Sequence, residues 1–132
     1  MAVLHRVARP GDVGTLIIDA GDNAAIGTDV LDRLQLRASE SCSSATVSCT
    51  SYPTGATIGT IVAGDDLELG TPAAVSTNTE CNDRIVNTGE GITTAYSFHD
   101  SAVLGTYKLH FEITTSASRK INFDVWIRVE AC

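Results

Sequence analysis

Two runs of alternating apolar and polar residues near the end of the chain are the clearest structural signal in this sequence. Residues 105–115 read GTYKLHFEITT and residues 121–130 read INFDVWIRVE, with the short run SASRK between them. A period of two places alternate side chains on opposite faces of a β-strand. The pattern predicts a long β-hairpin with one buried face. The expected buried residues are Tyr107, Leu109, Phe111, Ile113, Ile121, Phe123, Val125, Ile127 and Val129.

Shorter segments of the same kind occur earlier in the chain, separated by Gly, Pro and other turn-forming residues. They predict strands at residues 15–19, 30–38, 46–52, 57–62 and 92–99, and a turn with a weak strand at residues 64–72. A helix over residues 29–37 is an alternative that its shortness disfavours. The polar stretch 76–91 predicts a long loop. About seven or eight short strands without a convincing helix indicate an all-β fold, a single antiparallel β-sandwich.

The length and the N-terminal segment define the expected domain organisation. A chain of 132 residues corresponds to one domain. Residues 1–12 are polar and show no periodicity, so they predict an extended N-terminal arm, followed by the sandwich domain over residues 13–132. No run approaches the roughly 18 apolar residues that cross a bilayer, and the first residues lack the apolar centre of a secretory signal. We therefore expect synthesis in a cytoplasm without export, and no membrane partner.

The charge balance bears on the class of partner. The chain has 9 Lys and Arg against 16 Asp and Glu, a formal net charge of −7. Binding of nucleic acid requires a basic surface that displaces counterions from the phosphates. We therefore expect no nucleic-acid partner.

Four cysteines, at positions 42, 49, 81 and 132, permit three pairings, among which the sequence does not choose. Cys42 and Cys49 would close a small loop around a turn, so they are the favoured candidate disulfide. Four reduced thiols are the alternative for a protein made in a reducing compartment. The chain has no C-x-x-C spacing and its histidines are scattered, so a structural zinc site is not expected.

Candidate catalytic and calcium-binding residues have simpler explanations. Ser97, His99, Asp100 and Ser101 lie close in sequence, but no Gly-x-Ser-x-Gly motif accompanies them, and a strand end followed by a turn accounts for all four. Acidic residues beside glycines at 19–29 and 65–68 lack the ordered spacing of a calcium loop, and turn formation explains them. We expect a protein that is not an enzyme and needs no metal or cofactor.

The only tryptophan, Trp126, falls on the polar face of the last predicted strand. A large aromatic side chain exposed on a strand is a common anchor of protein–protein interfaces. The alternative is that a loop or the N-terminal arm of the same chain covers it. Arg6 and Arg9 on the arm could pair with an acidic neighbouring copy. The candidate interface residues are Arg6, Arg9, Trp126 and Arg128.

The terminal hairpin resembles the fibre–tail adaptor proteins of tailed bacteriophages, a family of small virion proteins with an immunoglobulin-like fold. The matching residues are Tyr107, Ile113-Thr114-Thr115, Ser116-Ala117-Ser118-Arg119, Phe123 and Val125 to Val129. A second match, to the opening strand of the family and its Gly-Asp step, is formed by Gly11-Asp12-Val13, Ile17-Ile18-Asp19 and Gly27-Thr28-Asp29. The similarity covers both ends of the chain, whereas the middle, with its cysteines and long polar loop, departs from the family.

The resemblance implies an immunoglobulin-like sandwich that acts mechanically in a virion. Its role would be to join the tail or neck to fibres or to neighbouring subunits, with other virion proteins (tail, neck, fibre or capsid subunits) and copies of itself as partners. A capsid decoration protein is the main alternative. A carbohydrate- or peptide-binding sandwich, with Trp126, Tyr52 and Tyr96 as candidate aromatic contacts, is another.

Overall fold

The computed structural model describes residues 2–19, 36, 40–62, 64–76, 79–81 and 84–131, and every regular element in these ranges is a β-strand. In chain order the strands are β1 (Ala2–Ala8), β2 (Val13–Asp19), β3 (Cys42–Ser51), β4 (Ile58–Thr60), β5 (Leu67–Leu69), β6 (Ala73–Ala74), β7 (Thr79–Cys81), β8 (Arg84–Val86), β9 (Gly91–Phe98), β10 (Gly105–Thr115) and β11 (Lys120–Val129). The all-β class predicted from the sequence is confirmed, with more and shorter strands than expected.

The strands form two mixed sheets and a small ribbon. One sheet has four strands in the order β1-β11-β10-β3, and the other has the order β2-β9-β5-β4 with β6 also paired to β9. The pairs β1–β11 and β4–β5 are parallel. The expectation of purely antiparallel sheets is therefore wrong at these two pairs. Alternation along a strand shows which side chains share a face, but it does not indicate whether the neighbouring strand runs parallel or antiparallel.

The C-terminal hairpin forms as predicted and supplies eight of the 18 buried residues of the core cluster among the described residues. β10 pairs with β11 from Gly105 opposite Val129 to Thr114 opposite Lys120. All of the predicted inward residues are buried except Ile121, which is half-buried. They share one hydrophobic cluster with residues of the five-stranded sheet, so the two sheets face each other across a common core. The contributors from the five-stranded sheet are Leu16, Ile18, Leu67, Ile92 and Phe98.

Most of the predicted N-terminal arm is an edge strand of the four-stranded sheet. In β1, Ala2 lies beside Phe123 and Ala8 lies beside Val129, and Ala8 is buried in the core. The sequence did not show this because β1 owes its conformation to backbone pairing with β11. Tertiary pairing of this kind overrides a weak local pattern.

The predicted disulfide between Cys42 and Cys49 is not formed, and both thiols are free. The two residues lie on the single strand β3. Seven residues of strand span roughly 23 Å at about 3.3 Å per residue, whereas bridged Cα atoms lie within about 7 Å. Burial, with the nearby carboxylates of Glu40 and Glu90, raises the pKa of the Cys42 thiol to about 11. That thiol therefore stays protonated and is a poor nucleophile.

The other sequence-based strand predictions divide into three groups. Those at residues 15–19, 46–52, 57–62 and 92–99 correspond to β2, β3, β4 and β9, and the weak strand predicted within residues 64–72 corresponds to β5. The strand predicted at 30–38 lies outside the described residues except for Leu36, which is buried. The predicted loop at 76–91 contains the short antiparallel ribbon β7–β8. Among the described residues there is no helix that could span a membrane.

Candidate functional site

A patch of aromatic, basic and apolar side chains surrounds Trp126 on the outward face of the four-stranded sheet. In register, Trp126 of β11 lies between His5 of β1 and Lys108 of β10, and Arg128 lies between Val7 and Thr106. Residues opposite one another on neighbouring strands project to the same face. This set is named the Trp126 patch, and its members are His5, Val7, Thr106, Lys108, Trp126 and Arg128.

A cavity of about 470 Å³ opens at the patch. It is lined by His5, Arg6, Val7, Thr106, Trp126 and Arg128. Trp126 is half-buried, whereas the apolar side chain of Val7 is 61% exposed. The arrangement offers a partner a partly accessible indole beside the guanidinium of Arg128, a combination that is frequent at the energetic centres of interfaces.

The structure brings three of the four predicted interface residues together. Arg6, Trp126 and Arg128 line the same cavity. Arg9 lies in the turn after β1, where its backbone N–H donates to the Asp12 carboxylate at 2.9 Å, and it does not line the cavity. The N-terminal segment flanks Trp126 through β1 and leaves it half-buried.

Lys108 links the indole to a buried carboxylate. Its Nζ lies 5.3 Å from the centroid of the Trp126 ring and 3.7 Å from Oδ2 of Asp124, whose side chain is 10% exposed. A cation over an indole contributes about 0.5–1 kcal/mol at a partly exposed site. The carboxylate and the indole together hold the ammonium on this face, so Lys108 covers part of the tryptophan.

His110 completes the polar network beside the patch. Its Nδ1 lies 2.8 Å from Oδ1 of Asp124 and its Nε2 lies 3.1 Å from Oδ1 of Asn122. Both ring nitrogens face oxygen acceptors, and only the imidazolium form can donate from both. Consistently, the hydrogen bond to Asp124 raises the pKa of His110; burial opposes the rise, whereas Asn122 and the charge of Glu112 add to it.

We expect the protein to lose stability as the pH rises through the pKa of folded His110. The pKa is higher in the folded than in the unfolded chain, so the stabilisation is complete below about pH 6.5 and is lost above the folded pKa. Its size should be about 1 kcal/mol or less, because the side chain is 31% exposed. Urea unfolding between about pH 5.5 and 8.5 measures it. The variant His110→Gln should have a flatter profile; an unchanged slope would contradict the assignment.

A buried ion pair stabilises the turn between β10 and β11. The Glu40 side chain is 3% exposed, and Nη2 of Arg119 donates to its Oε1 at 2.7 Å while Nε donates to Oε2 at 3.2 Å. The Thr115 hydroxyl donates to the same carboxylate and accepts from the backbone N–H of Arg119. A bidentate pair of this geometry fixes orientation as well as charge. It ties the chain before β3 to the turn between β10 and β11.

Of the residues considered for catalysis or calcium binding, His99 and Asp66 make structural hydrogen bonds, whereas those at positions 20–29 lie outside the described residues. The ring Nδ1 of His99 accepts from the backbone N–H of Ser101 at 3.1 Å, within a turn. The Asp66 carboxylate accepts from the Thr57 hydroxyl and from the backbone N–H of Val103. Within the described ranges no group of three or more His, Cys, Asp or Glu side chains is arranged to hold a metal.

Sequence reasoning missed the contribution of two strands to the patch. His5 and Val7 were placed on a separate arm, although they flank β11. Thr106 and Lys108 alternate with the buried residues of β10, so the same period that predicted the core could have identified them on the face of Trp126.

Comparisons with known proteins add little to this geometry. No protein-family model and no curated protein matches the chain. Among solved structures, a family 123 glycoside hydrolase from Clostridium perfringens aligns with 100% of this chain and 23% of its own, at 12% identity and a TM-score of 0.44. The chain thus spans less than a quarter of that enzyme.

Proposed function

We propose that the chain is a non-catalytic structural protein of a bacteriophage virion, an adaptor that joins the tail or neck to fibres or neighbouring subunits. The observation that carries the proposal is the position of the residues that resemble the adaptor family. Tyr107 and Phe123 lie in the core, and Thr115 and Arg119 form the buried corner with Glu40. The shared residues are therefore those that determine the shape of the hairpin.

The strand orders support an immunoglobulin-like sandwich. In that fold, strands C, F and G form one sheet and strands B, E and D lie in the other. The orders β3-β10-β11 and β2-β9-β5 match these two series. The Tyr107 hydroxyl also donates to the backbone C=O of Val103, four residues upstream, at 2.7 Å. A tyrosine bonded to upstream backbone near the start of strand F is a hallmark of the fold.

The Trp126 patch is the surface that we assign to another virion protein. The patch combines an indole, Arg128 and the exposed Val7, and tryptophan and arginine are the residues most enriched at interface centres. Within the chain, Arg128 already pairs with Glu130 at 2.5 Å and Lys108 with Asp124 at 3.7 Å. A partner surface with an apolar centre and hydrogen-bond acceptors at its rim, which could share these cations, would complement this chemistry.

Labelling of particles tests the proposal. Antibodies against the purified protein, coupled to gold, are applied to particles from the source lysate and viewed by negative stain. Gold at the tail or neck is the expected result. Gold over the whole head would favour the alternative of a capsid decoration protein, and particles without label would overturn the virion role.

We expect Trp126→Ala to reduce incorporation into particles at least tenfold without unfolding the protein. The change removes the centre of the patch, and residues at interface centres contribute about 2 kcal/mol or more. Incorporation is measured by immunoblot of purified particles made with the variant. Tyr52→Ala is the matched control, because Tyr52 is an aromatic residue 50% exposed outside the patch. Equal incorporation of both variants would remove the patch from the adaptor contact.

A carbohydrate-binding role is the second candidate, and the position of Lys108 weighs against it. A sugar needs an open aromatic face, whereas the ammonium of Lys108 lies over the Trp126 ring. Binding to a glycan array that Trp126→Ala abolishes would favour this alternative.

A further inference from the structure

The strand β3 is the second edge of the four-stranded sheet, opposite β1, and among the described residues only β10 pairs with it. Its outward side chains are exposed, and they are Ser44, Thr46, Ser48 and Thr50. The alternate residues Ala45, Val47 and Cys49 pack against the core. The free backbone edge of β3 can therefore accept another strand.

The composition of β3 leaves this edge unprotected. The ten residues Cys42–Ser51 include no charged residue and no proline. Charged side chains and prolines are the usual means by which edge strands prevent the addition of another chain. On a chain with a net charge of −7, an uncharged strand also lets two copies meet edge to edge without directly opposed like charges.

Irregularities at both ends limit the length of β3 that can pair. The register with β10 shifts between Lys108 and Leu109 and again between Thr114 and Thr115. Bulges bend a strand and interrupt its ladder. The regular part of β3 is therefore the stretch 44–49, opposite residues 109–114.

A groove runs along the same edge, between the two sheets. It has a volume of about 430 Å³ and is lined on one side by residues 45–49 of β3 and on the other by residues 58–60 and 69–72. Val47, Ile58 and Leu69 are only partly buried there. A strand added to β3 would cover this remaining apolar surface.

We propose that β3 is a self-association edge, to which β3 of a second copy adds antiparallel about a two-fold axis. An isologous contact joins the same surface of both copies, and here it would unite two four-stranded sheets into one of eight strands. Residues opposite one another in an antiparallel pair project to the same face of the sheet. When two copies of one strand pair about a two-fold axis, this requires that the axis pass through one residue, which then lies opposite the same residue of the second copy. Val47 is the centre of the groove-lining stretch 45–49, and placing it on the axis sets Thr46 opposite Ser48 of the second copy.

The second copy is favoured over an unrelated strand because the opposed residues suit each other. Hydroxyl side chains opposite one another across antiparallel strands form favourable pairs, as do β-branched residues. A contact limited to the six residues 44–49 is expected to bury less than the roughly 800 Å² per partner of a stable interface. We therefore expect a dissociation constant in the micromolar range, which repetition in an assembly would strengthen. The inference requires only the purified chain, so it can fail or succeed independently of the virion role.

Sedimentation velocity of the purified protein, in reductant and over about 5–500 μM, tests the proposal. We expect a monomer–dimer equilibrium. The double variant Thr46→Lys with Ser48→Lys should raise its dissociation constant at least tenfold, because lysines of the two copies would lie opposite one another. Thr15→Lys with Ala131→Lys adds the same charge at exposed positions, on β2 and after β11, that do not adjoin β3, and should leave the dimer unchanged. A monomer at every concentration, or a dimer that survives the first double variant, would overturn the proposal.

Two further measurements distinguish a loss of association from misfolding of the Thr46→Lys, Ser48→Lys variant. Thr46→Lys with Ser48→Glu places opposite charges across the axis and should restore association to within about threefold of the unaltered chain. In the unaltered chain, amide hydrogen exchange of residues 44–49 should slow as the concentration rises. Exchange that is independent of concentration, or a charge-paired variant that stays monomeric, would overturn the Val47-centred pairing.

Discussion

Replacement of Phe111 with alanine is expected to lower the free energy of unfolding by about 3–5 kcal/mol. The side chain is fully buried, and its ring stacks on that of Phe123 with centroids 4.9 Å apart and planes 4° from parallel. The substitution removes a ring that is packed away from water and leaves a cavity in the core beside the hairpin. The loss is a large part of the 5–15 kcal/mol by which a domain is stable.

Urea unfolding followed by the fluorescence of Trp126 measures this loss. Tyr52→Ala is the control, because Tyr52 is 50% exposed and its truncation should change stability by about 0.5 kcal/mol or less. Phe111→Leu keeps most of the volume and extends the measurement if the alanine variant does not fold. A loss below about 1 kcal/mol for Phe111→Ala would contradict the close packing of the two rings.

Replacement of Tyr107 with phenylalanine is expected to lower the free energy of unfolding by about 1–3 kcal/mol. The change removes a single oxygen, so the core keeps its shape while the backbone C=O of Val103 loses the hydroxyl that donates to it at 2.7 Å. Burial, with the charge of Asp66, raises the pKa of Tyr107 to about 12. The hydroxyl therefore remains a donor throughout the neutral range, and the loss should be the same at about pH 6 and pH 9.

Tyr96→Phe is the matched control for this measurement. The Tyr96 ring also packs against Phe98, at 6.0 Å, but within the described chain its hydroxyl makes no hydrogen bond. Its removal should change stability by about 0.5 kcal/mol or less. Equal losses of stability for both variants would mean that the hydrogen bond to Val103 contributes little. That bond would then no longer support an immunoglobulin-like fold.

The terminal hairpin was predictable because its signal is local and repeated. Each of β10 and β11 alternates over ten or more residues, so a slip of one residue would turn the whole apolar set toward solvent. The outward position of Trp126 follows from the same count. The partial burial of the indole could not be predicted in this way, because it depends on Lys108 and on the neighbouring strand β1.

Features that depend on distant pairing were not predictable from the sequence. The sequence of β1 gave no indication that the strand would lie parallel to β11, because its conformation depends on pairing with the backbone of β11. The Glu40–Arg119 pair joins residues that neither spacing nor composition connects. Cys42 and Cys49 suggested a closed loop only while the residues between them were taken as a turn; a straight strand holds the two thiols apart.

The parallel pairing of β1 with β11 has a consequence for the order of events during synthesis. Ala2 lies beside Phe123, so β1 leaves the ribosome long before β11, the strand with which it pairs. All strands of the five-stranded sheet precede residue 99 and are available earlier. Contacts between the most distant parts of a chain form slowly. The core of the nascent protein therefore stays incomplete at the place between β1 and β10 until β11 is translated and completes the four-stranded sheet.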